Sequence, residues 1–325
     1  MVRLPPWQKP DYTGLMTKPI MISKKESAPA VRTPSPPASQ ALAGLSLSML
    51  LSSLGTSSVS AALPALAQSF HAGFQEVQWI VLSYLLAITV MIVSAGRLGD
   101  ILGRKFLLLA GLSLFTAASL LCGSAGTLWL LVAGRVAQGI GAAIMMALAT
   151  ALAGEAVPKE ATGRVMGLLG TMSAAGTALG PSLGGVLIAA AGWRTIFLIN
   201  VPLGILAGFL AHRSLPADRR EPGARRPGFD WKGSLLLGLT LGFYALAMTI
   251  GRSGFGLLNV ALLLAAACGA AVFLRVETTA SPPLIPPGAF GAPFLMAGLV
   301  MSTLVSAVIM ATLVAGPFYL TRVLG

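Results

Sequence analysis

Charged residues are scarce in this sequence. Only 10% of its 325 residues are Asp, Glu, Lys or Arg, whereas 55% are hydrophobic. A soluble domain of average composition carries about 25% charged residues, so this chain has too little polar surface to cover a globule in water. The composition therefore excludes an ordinary soluble protein and predicts an integral membrane protein.

Cysteine and the sequence patterns of catalysis are also scarce. Cys122 and Cys268 lie in apolar runs, which is typical of small buried side chains and not of a disulfide framework or a metal site. His71 and His212 are far apart in the sequence, and nothing near them resembles a catalytic triad. The sequence has no Gly-rich loop followed by Lys-Ser or Lys-Thr, which argues against ATP-driven pumping. We therefore expect no enzymatic activity, no cofactor and no metal.

Long apolar runs follow residue 40. A helix needs about 20 such residues to cross roughly 30 Å of hydrocarbon. The sequence predicts nine spans, near residues 41–66, 77–96, 105–125, 128–152, 163–191, 194–213, 232–250, 256–274 and 291–319. Residues 1–40 differ, because they hold eight prolines and six basic residues, and we predict a disordered basic tail there.

The basic residues indicate an orientation. Of the 22 Lys and Arg residues, 18 fall on the side of the N-terminal tail, three (Arg194, Arg252 and Arg322) fall on the other side, and Arg135 lies inside span four. Cytoplasmic loops are the Lys- and Arg-rich ones in membrane proteins. The sequence therefore predicts a multi-pass protein of the cell membrane with a cytoplasmic N-terminus. Bases confined to short loops also argue against nucleic-acid binding.

The stretch "GRLGDILGRK", residues 96–105, places four charges in a short turn predicted between spans two and three. Its glycines would let two helix ends approach closely. Arg104 follows Asp100 by four residues and lies within its reach if the turn is helical. Because membrane topology requires bases but no acid, Asp100 favours a charged latch. A solvated loop with an incidental Asp is the alternative.

Arg135 is the charge inside a span, roughly 10 Å from the external end at 1.5 Å per residue. Burying a guanidinium at such a depth costs about 2.5–3.5 kcal/mol on insertion scales. Gln138, one turn further on, could orient it by hydrogen bonding. A tolerated Arg that reaches back to the interface is the alternative.

Span five carries a stripe of small residues. Gly176, Gly180 and Gly184 recur every four residues and therefore share one helix face, which lets another backbone approach closely. Pro181 removes a backbone donor and disfavours a straight helix. The pattern predicts a tight, bent helix contact, which would serve either packing alone or the sealing of a path between two groups of helices.

Together these stretches resemble the major facilitator superfamily of membrane transporters, in particular its fourteen-span drug–proton antiporter branch. "GRLGDILGRK" is similar to the family's Gly-x-Leu-x-Asp-x-x-Gly-Arg-Lys motif, and "GRVAQGIGAA" is similar to its Arg-x-x-Gln-Gly motif. "GTALGPSLGG" resembles the glycine–proline motif of exporters, while "VQWIVLSYLLA" and "GWRTIFLINVPLG" resemble the fourteen-span branch. The resemblance covers about residues 41–325.

The resemblance implies roles for three sets of residues. A latch between two halves of a carrier would comprise Gly96, Asp100, Gly103, Arg104, Lys105 and Glu155. Proton coupling or substrate contact in a central cavity would involve Thr56, Ser60, Trp79, Tyr84, Arg135, Gln138 and Gly139. The exporter motif would comprise Gly176, Gly180, Pro181, Gly184 and Gly185. Asp100 would face a helix N-terminus of the other half, and Glu155 would pair with Arg104.

Span one departs from the branch it resembles. It reads "LGTSSVSAALP", so Gly55 stands where the branch has an acid and Ser60 stands where it has Asn. No Asp or Glu lies in the interior of any predicted span. An acid that gains and loses a proton is the usual means of coupling to a proton gradient or attracting a cationic drug. The departure therefore leaves proton coupling open and favours a neutral or weakly polar substrate.

The resemblance also implies a domain layout. Residues 1–40 would form the tail, 41–214 a six-helix bundle, 215–230 a cytoplasmic linker, 231–276 two inserted helices, and 277–325 a loop and the first helix of a second bundle. Because the family fold has a complete second bundle, we expect a chain truncated after its ninth span, with the missing bundle required for activity.

The resulting prediction is an all-α major facilitator fold that acts as a secondary active transporter and exports small molecules or drugs by alternating access. Its partners would be a small-molecule substrate, the lipid bilayer and, if coupling holds, protons. A non-transporting fragment of such an exporter and an uptake permease are the alternatives. The glycine–proline motif argues against uptake, because it resembles that of exporters.

Overall fold

The computed structural model describes residues 36–218, 231–250, 256–279 and 293–323. All regular structure in these ranges is helical, which confirms the predicted fold class. The helices are α1 (Pro36–Phe70), α2 (Phe74–Leu102), α3 (Arg104–Ser124), α4 (Leu128–Glu155), α5 (Thr162–Ala191), α6 (Thr195–Leu198), α7 (Asn200–Ser214), α8 (Trp231–Thr249), α9 (Leu257–Thr279) and α10 (Pro293–Val323). A short 3₁₀ turn, Lys159–Ala161, precedes α5.

The predicted spans coincide with these helices. Within the described ranges, 8 helical segments are long and apolar enough to cross a membrane, and α6 and α7 together form one of them, Thr195–Ser214. A further apolar helix, Gly233–Thr249, is shorter. The first helix begins at Pro36, so the last residues of the predicted 1–40 tail are helical. The rest of that tail and residues 219–230 of the linker lie outside the described residues.

Helices α1 to α7 pack around two apolar clusters. The first includes the fully buried side chains of Leu45, Tyr84, Phe115, Met145 and Leu148. The second includes those of Leu63, Ile80, Leu131 and Phe197. Since one cluster takes an early part of α1 and the other a later part, they lie toward opposite ends of that helix. Lipid offers no hydrophobic driving force between helices, so close packing and interhelical hydrogen bonds hold such a bundle together.

Helices α8 and α9 pack against each other as a hairpin. The side-chain amide of Asn259 in α9 donates to the carbonyl oxygen of Ala247 at 2.7 Å and also to that of Ile250. The hydroxyls of Ser94 and Ser234 lie 2.5 Å apart and join the hairpin to α2. Helix α10 differs, because its described side chains are almost all exposed. An apolar helix of this kind has to be covered by lipid or by protein.

Candidate functional site

The predicted intramembrane charge lies inside the helical bundle. Arg135 of α4 is 0% exposed. Its Nε donates to the carbonyl oxygen of Ile80 in α2 at 3.0 Å, and its Nη1 donates to Oε1 of Gln138 at 2.6 Å. Nε2 of Gln138 donates to the hydroxyl of Ser119 in α3 at 2.7 Å. One buried network therefore joins α2, α3 and α4.

The aromatic ring of Tyr84 lies against the Arg135 guanidinium and stabilises its positive charge. The guanidinium carbon lies 3.9 Å from the centroid of the Tyr84 ring, and the Tyr84 hydroxyl donates to the carbonyl oxygen of Ser52 in α1 at 2.7 Å. A desolvated cation–π contact is worth about 2 kcal/mol, which offsets much of the cost of placing the charge there. The Nη2 atom of Arg135 has no hydrogen-bond partner among the described residues.

Arg135 is bound within the bundle in this structure. No part of its side chain is exposed, and it contacts the ring of Tyr84 and the carbonyl oxygen of Ile80. Its role in proton coupling or substrate contact stays a prediction. The expected contact with Gln138 is present, as their spacing of three residues on one helix requires.

Gly139, the last residue of the Arg-x-x-Gln-Gly motif, lies where α4 packs closely against α2. A Cβ atom at this position would lie 2.6 Å from the carbonyl oxygen of Tyr84 and 2.8 Å from the Cβ of Ala87. Real Cβ atoms do not approach so closely, so only glycine lets α4 lie against α2 here. Arg135 and Gln138 thus make the polar contacts, while Gly139 permits the helix approach that brings Tyr84 over the guanidinium.

Thr56 and Ser60, which the resemblance assigns to proton coupling or substrate contact, belong to a series of hydroxyls at every fourth position of α1. These hydroxyls bond to carbonyl oxygens of their own helix, over 2.9 Å from Ser48 to Gly44, 2.9 Å from Ser52 to Ser48, 3.4 Å from Thr56 to Ser52 and 3.2 Å from Ser60 to Thr56. Thr56 is 9% exposed and Ser60 is 0% exposed, and their contact with a substrate stays a prediction. Trp79 is half-buried on α2.

Gly55, the position at which the resemblance implies an acid, lies beside the same network. A Cβ atom there would be 3.4 Å from the Tyr84 hydroxyl oxygen and 3.5 Å from the Phe115 ring. These are ordinary van der Waals distances at the edge of a packed core, so the site holds a small residue without strain. Because position 55 is glycine, α1 contributes no carboxylate to the Arg135 network here, and the residue next to this position is Tyr84.

The predicted latch residues form a cluster at the ends of three helices. Nε and Nη2 of Arg104 donate to Oδ1 of Asp100 at 3.0 and 2.8 Å, and Nη1 donates to Oε1 of Glu155. We call Asp100, Arg104 and Glu155 the latch cluster. Its side chains are 32–59% exposed, and such surface pairs contribute only about 0–1 kcal/mol each. The cluster therefore suits a contact that is broken and remade.

The predicted glycine-rich turn is shorter than expected. Helix α2 continues to Leu102, so most of the "GRLGDILGRK" stretch is helical and the break falls at Gly103 alone, with φ of 102°. Gly96 has open space where a side chain would project, and its expected role in close helix approach is therefore wrong. Gly99 does allow close packing, because a Cβ there would lie 2.5 Å from Leu148.

Asp218 belongs to this region, although sequence reasoning did not select it. Its carboxylate accepts hydrogen bonds from the backbone N–H groups of Lys105 at 2.9 Å and Phe106 at 3.0 Å, at the start of α3. An N-cap side chain normally accepts hydrogen bonds from the first backbone N–H groups of a helix, and Gly103 at the N-cap position of α3 has none. The absence of an N-cap side chain is the sequence signal that could have indicated a carboxylate from elsewhere in the chain.

The glycine stripe of α5 packs on α1. A Cβ atom at Gly176 would lie 2.6 Å from the Leu50 carbonyl oxygen, and one at Gly180 would lie 2.5 Å from the Ser57 Cβ. Gly184 likewise lies against Ser58, and the Ser57 hydroxyl donates to the Gly176 carbonyl oxygen at 2.9 Å. Among the described residues the stripe thus contacts α1, a helix of its own bundle, as the packing alternative expects, and its part in sealing a path between two halves stays a prediction.

The remaining members of the exporter motif differ from the stripe. Gly185 has nothing within 4 Å of the place a Cβ would occupy, so it is outside the packed face. Pro181 lies inside α5, which continues through it as one helix from Thr162 to Ala191. The close approach of α5 to α1 therefore depends on three glycines at four-residue spacing.

Known proteins are similar to this chain in sequence and in fold. The multidrug resistance protein Stp of Mycobacterium tuberculosis is 37% identical over 245 residues, which cover 74% of this chain and 45% of that protein. The tetracenomycin C resistance and export protein of Streptomyces glaucescens is 33% identical over 288 residues, covering 87% of this chain and 53% of that protein. The solved structure of a bacterial homolog of the human lysosomal transporter Spinster, inward-facing and occupied, matches with a TM-score of 0.52 at 19% identity, over 83% of this chain and 67% of that one.

The chain spans about half the length of the curated relatives it matches. The match to the family as a whole covers residues 45–324, which include every described helix from most of α1 onward. The five quoted stretches, the helical bundle around Arg135 and this match lead to one conclusion: the chain belongs to the Major Facilitator Superfamily.

Proposed function

We propose that this chain takes part in the export of small organic molecules by secondary active transport, as a member of the drug–proton antiporter branch. The observation that carries the proposal is the fully buried network of Arg135, Gln138 and Tyr84 within a helical bundle of this family. A buried intramembrane charge is costly and is usually retained for function. The names of the two relatives, one for multidrug resistance and one for export, support the direction of transport.

The proposed cycle is alternating access between two bundles. Helices α1 to α7 supply one bundle, and a second bundle is a required partner because a cavity needs two walls. The latch cluster of Asp100, Arg104 and Glu155 would close in one state and open in the other. Its exposed, individually weak ion pairs support that role, because they can exchange partners at small cost.

The substrate class is inferred from the sequence of α1. Gly55 stands where the branch implies an acid, and no Asp or Glu lies in the interior of any predicted span. We infer a neutral or weakly polar substrate, because α1 offers no carboxylate that would attract a cation. Proton coupling would then rely on a group other than a residue at position 55.

We also propose that the N-terminus and the connector after α7 lie in the cytoplasm. The N-terminal tail, the connector, the loops at the latch cluster and Arg275 together hold 18 of the 22 Lys and Arg residues, which is the pattern that the positive-inside rule predicts for the cytoplasmic side. The latch cluster would then sit at the cytoplasmic ends of α2, α3 and α4.

The test of export uses cells loaded with a neutral fluorescent dye. The chain is expressed alone and together with a second bundle from a family member, and dye release is compared with that of empty-vector cells. We expect Arg135→Ala to abolish export while membrane insertion persists, and Arg164→Ala, at an exposed position of α5, to leave it intact. Equal export by both variants would contradict the role of the network, and no export in either arrangement would contradict the proposed function.

A further inference from the structure

The beginning of α3 and the end of α7 are joined by hydrogen bonds between residues 110 to 113 positions apart in the sequence. Asp218 accepts from the backbone N–H groups of Lys105 and Phe106, at 2.9 and 3.0 Å. In the other direction, Nζ of Lys105 donates to the carbonyl oxygen of Leu215 at 2.6 Å. The two sets of bonds bind the first residues after α7 to the first turn of α3.

Gly103 makes room for this contact. Its φ of 102° is one that residues with a side chain rarely adopt. A Cβ atom there would lie 2.5 Å from Oδ2 of Asp218 and 2.6 Å from its Cγ. The glycine is therefore needed twice, once for the turn between α2 and α3 and once so that the carboxylate can reach the helix end.

The charges around this helix end explain why a carboxylate binds there. The first turn of α3 contains no acidic residue and begins with two bases, Arg104 and Lys105, at the end of the helix that already carries a partial positive charge. The other two nearby carboxylates, of Asp100 and Glu155, accept from the Arg104 side chain. The carboxylate that meets the backbone donors is that of Asp218.

We propose that Asp218 is a positioning residue for the latch cluster. By holding the backbone of Lys105 and Phe106, it fixes the first turn of α3 and with it the stem of Arg104, which has to reach two carboxylates on two other helices. The residues that follow α7 then move with α3 instead of separately from it. The contact itself is independent of the proposed function, whereas its use in a transport cycle rests on that function.

The experiment measures the mobility of a spin label beside the contact. A nitroxide is attached to the thiol introduced by Ala217→Cys in the 325-residue chain carrying Cys268→Ala, with Cys122 left in place because it is fully buried. We expect Asp218→Asn to raise the ratio of mobile to immobile signal about fivefold, which corresponds to about 1 kcal/mol. Glu160→Gln, at an exposed acid of the loop after α4, is the matched charge control and should leave the spectrum unchanged. Asp218→Ala should exceed the effect of Asp218→Asn, because Asn keeps one acceptor.

A second label position separates positioning from simple docking. A nitroxide at Ala156, exposed and next to Glu155, reports whether Arg104 still holds the end of α4. We expect Asp218→Asn to raise its mobile fraction at least twofold, with Arg104→Ala as the positive control. An unchanged spectrum at position 217 would overturn the contact, and a change at 217 without one at 156 would overturn the positioning role. If the wild-type chain exported no dye either alone or with a second bundle, the proposed function would be contradicted, and the two spectra would still decide the Asp218 contact and its positioning role.

Discussion

Gln138→Leu should destabilise the bundle strongly, because it leaves a buried charge with one acceptor fewer. Gln138 accepts from Nη1 of Arg135 at 2.6 Å in a site where Arg135 is 0% exposed and its Nη2 already lacks a partner among the described residues. A hydrogen bond to a charged group is worth about 1.5–3 kcal/mol, and removing one partner of a buried charge costs about 3–5 kcal/mol. We expect a loss of about 3 kcal/mol, since the Ile80 carbonyl and the Tyr84 ring remain.

The double variant Gln138→Leu with Arg135→Met should recover most of that loss. Without the guanidinium, no buried N–H donor of residue 135 is left without an acceptor. The Ser119 hydroxyl, which loses its contact with Gln138, still donates to the Phe115 carbonyl oxygen at 2.7 Å. The assay is the midpoint of thermal unfolding in detergent, followed by size-exclusion chromatography. Gln68→Leu, at an exposed position of α1, serves as the control. If Gln138→Leu matched that control, or if Arg135→Met failed to restore stability, the account of a compensated buried charge would be refuted.

Three further predictions concern the α5 contact, the latch cluster and the orientation. Gly180→Ala should cost about 1–3 kcal/mol by overpacking α5 against α1, whereas Gly185→Ala, which has open space, should cost nothing measurable in the same unfolding assay. Glu155→Gln should change the free energy of unfolding by less than about 1 kcal/mol, because the pair is exposed, yet lower the maximal export rate in the dye assay. A single Cys introduced at Gly223 in the connector should react with a membrane-impermeant maleimide only after cells are opened; labelling of intact cells would invert the proposed topology.

The sequence predicted contacts between residues close in the chain better than contacts between distant ones. Arg135 and Gln138 are three residues apart on α4, so helix geometry alone brings them together. Asp100 and Arg104 are four residues apart and do form the expected pair, although the turn at Gly103 places them on α2 and α3. The expected pairing of Arg104 with Glu155 is also present, because both are charged ends of neighbouring helices. Whether these contacts serve transport stays a prediction.

The contacts that sequence reasoning missed depend on how helices cross. Nothing in the chain signals that Tyr84 lies over Arg135, and the missing side chain at Gly103 does not identify Asp218 as the carboxylate at the start of α3, because those pairs are brought together by packing and not by spacing. The same holds for the glycine stripe, whose four-residue period predicted a close approach but could not name α1 as the partner. Small residues show where a helix can be approached, and the neighbour is decided by the whole bundle.

The hydroxyl series on α1 has a consequence for how this family can diversify. The hydroxyls of this series donate hydrogen bonds to carbonyl oxygens one turn earlier in the same helix; the residues are Ser48, Ser52, Thr56 and Ser60. For Ser48, Ser52 and Ser60, whose hydroxyls bond to their own helix, exchange for a methyl group leaves no donor or acceptor on a neighbouring helix without a partner, so the exchange has little effect on folding. These positions of α1 can therefore change between polar and apolar residues among related sequences while the packing of the surrounding helices stays the same.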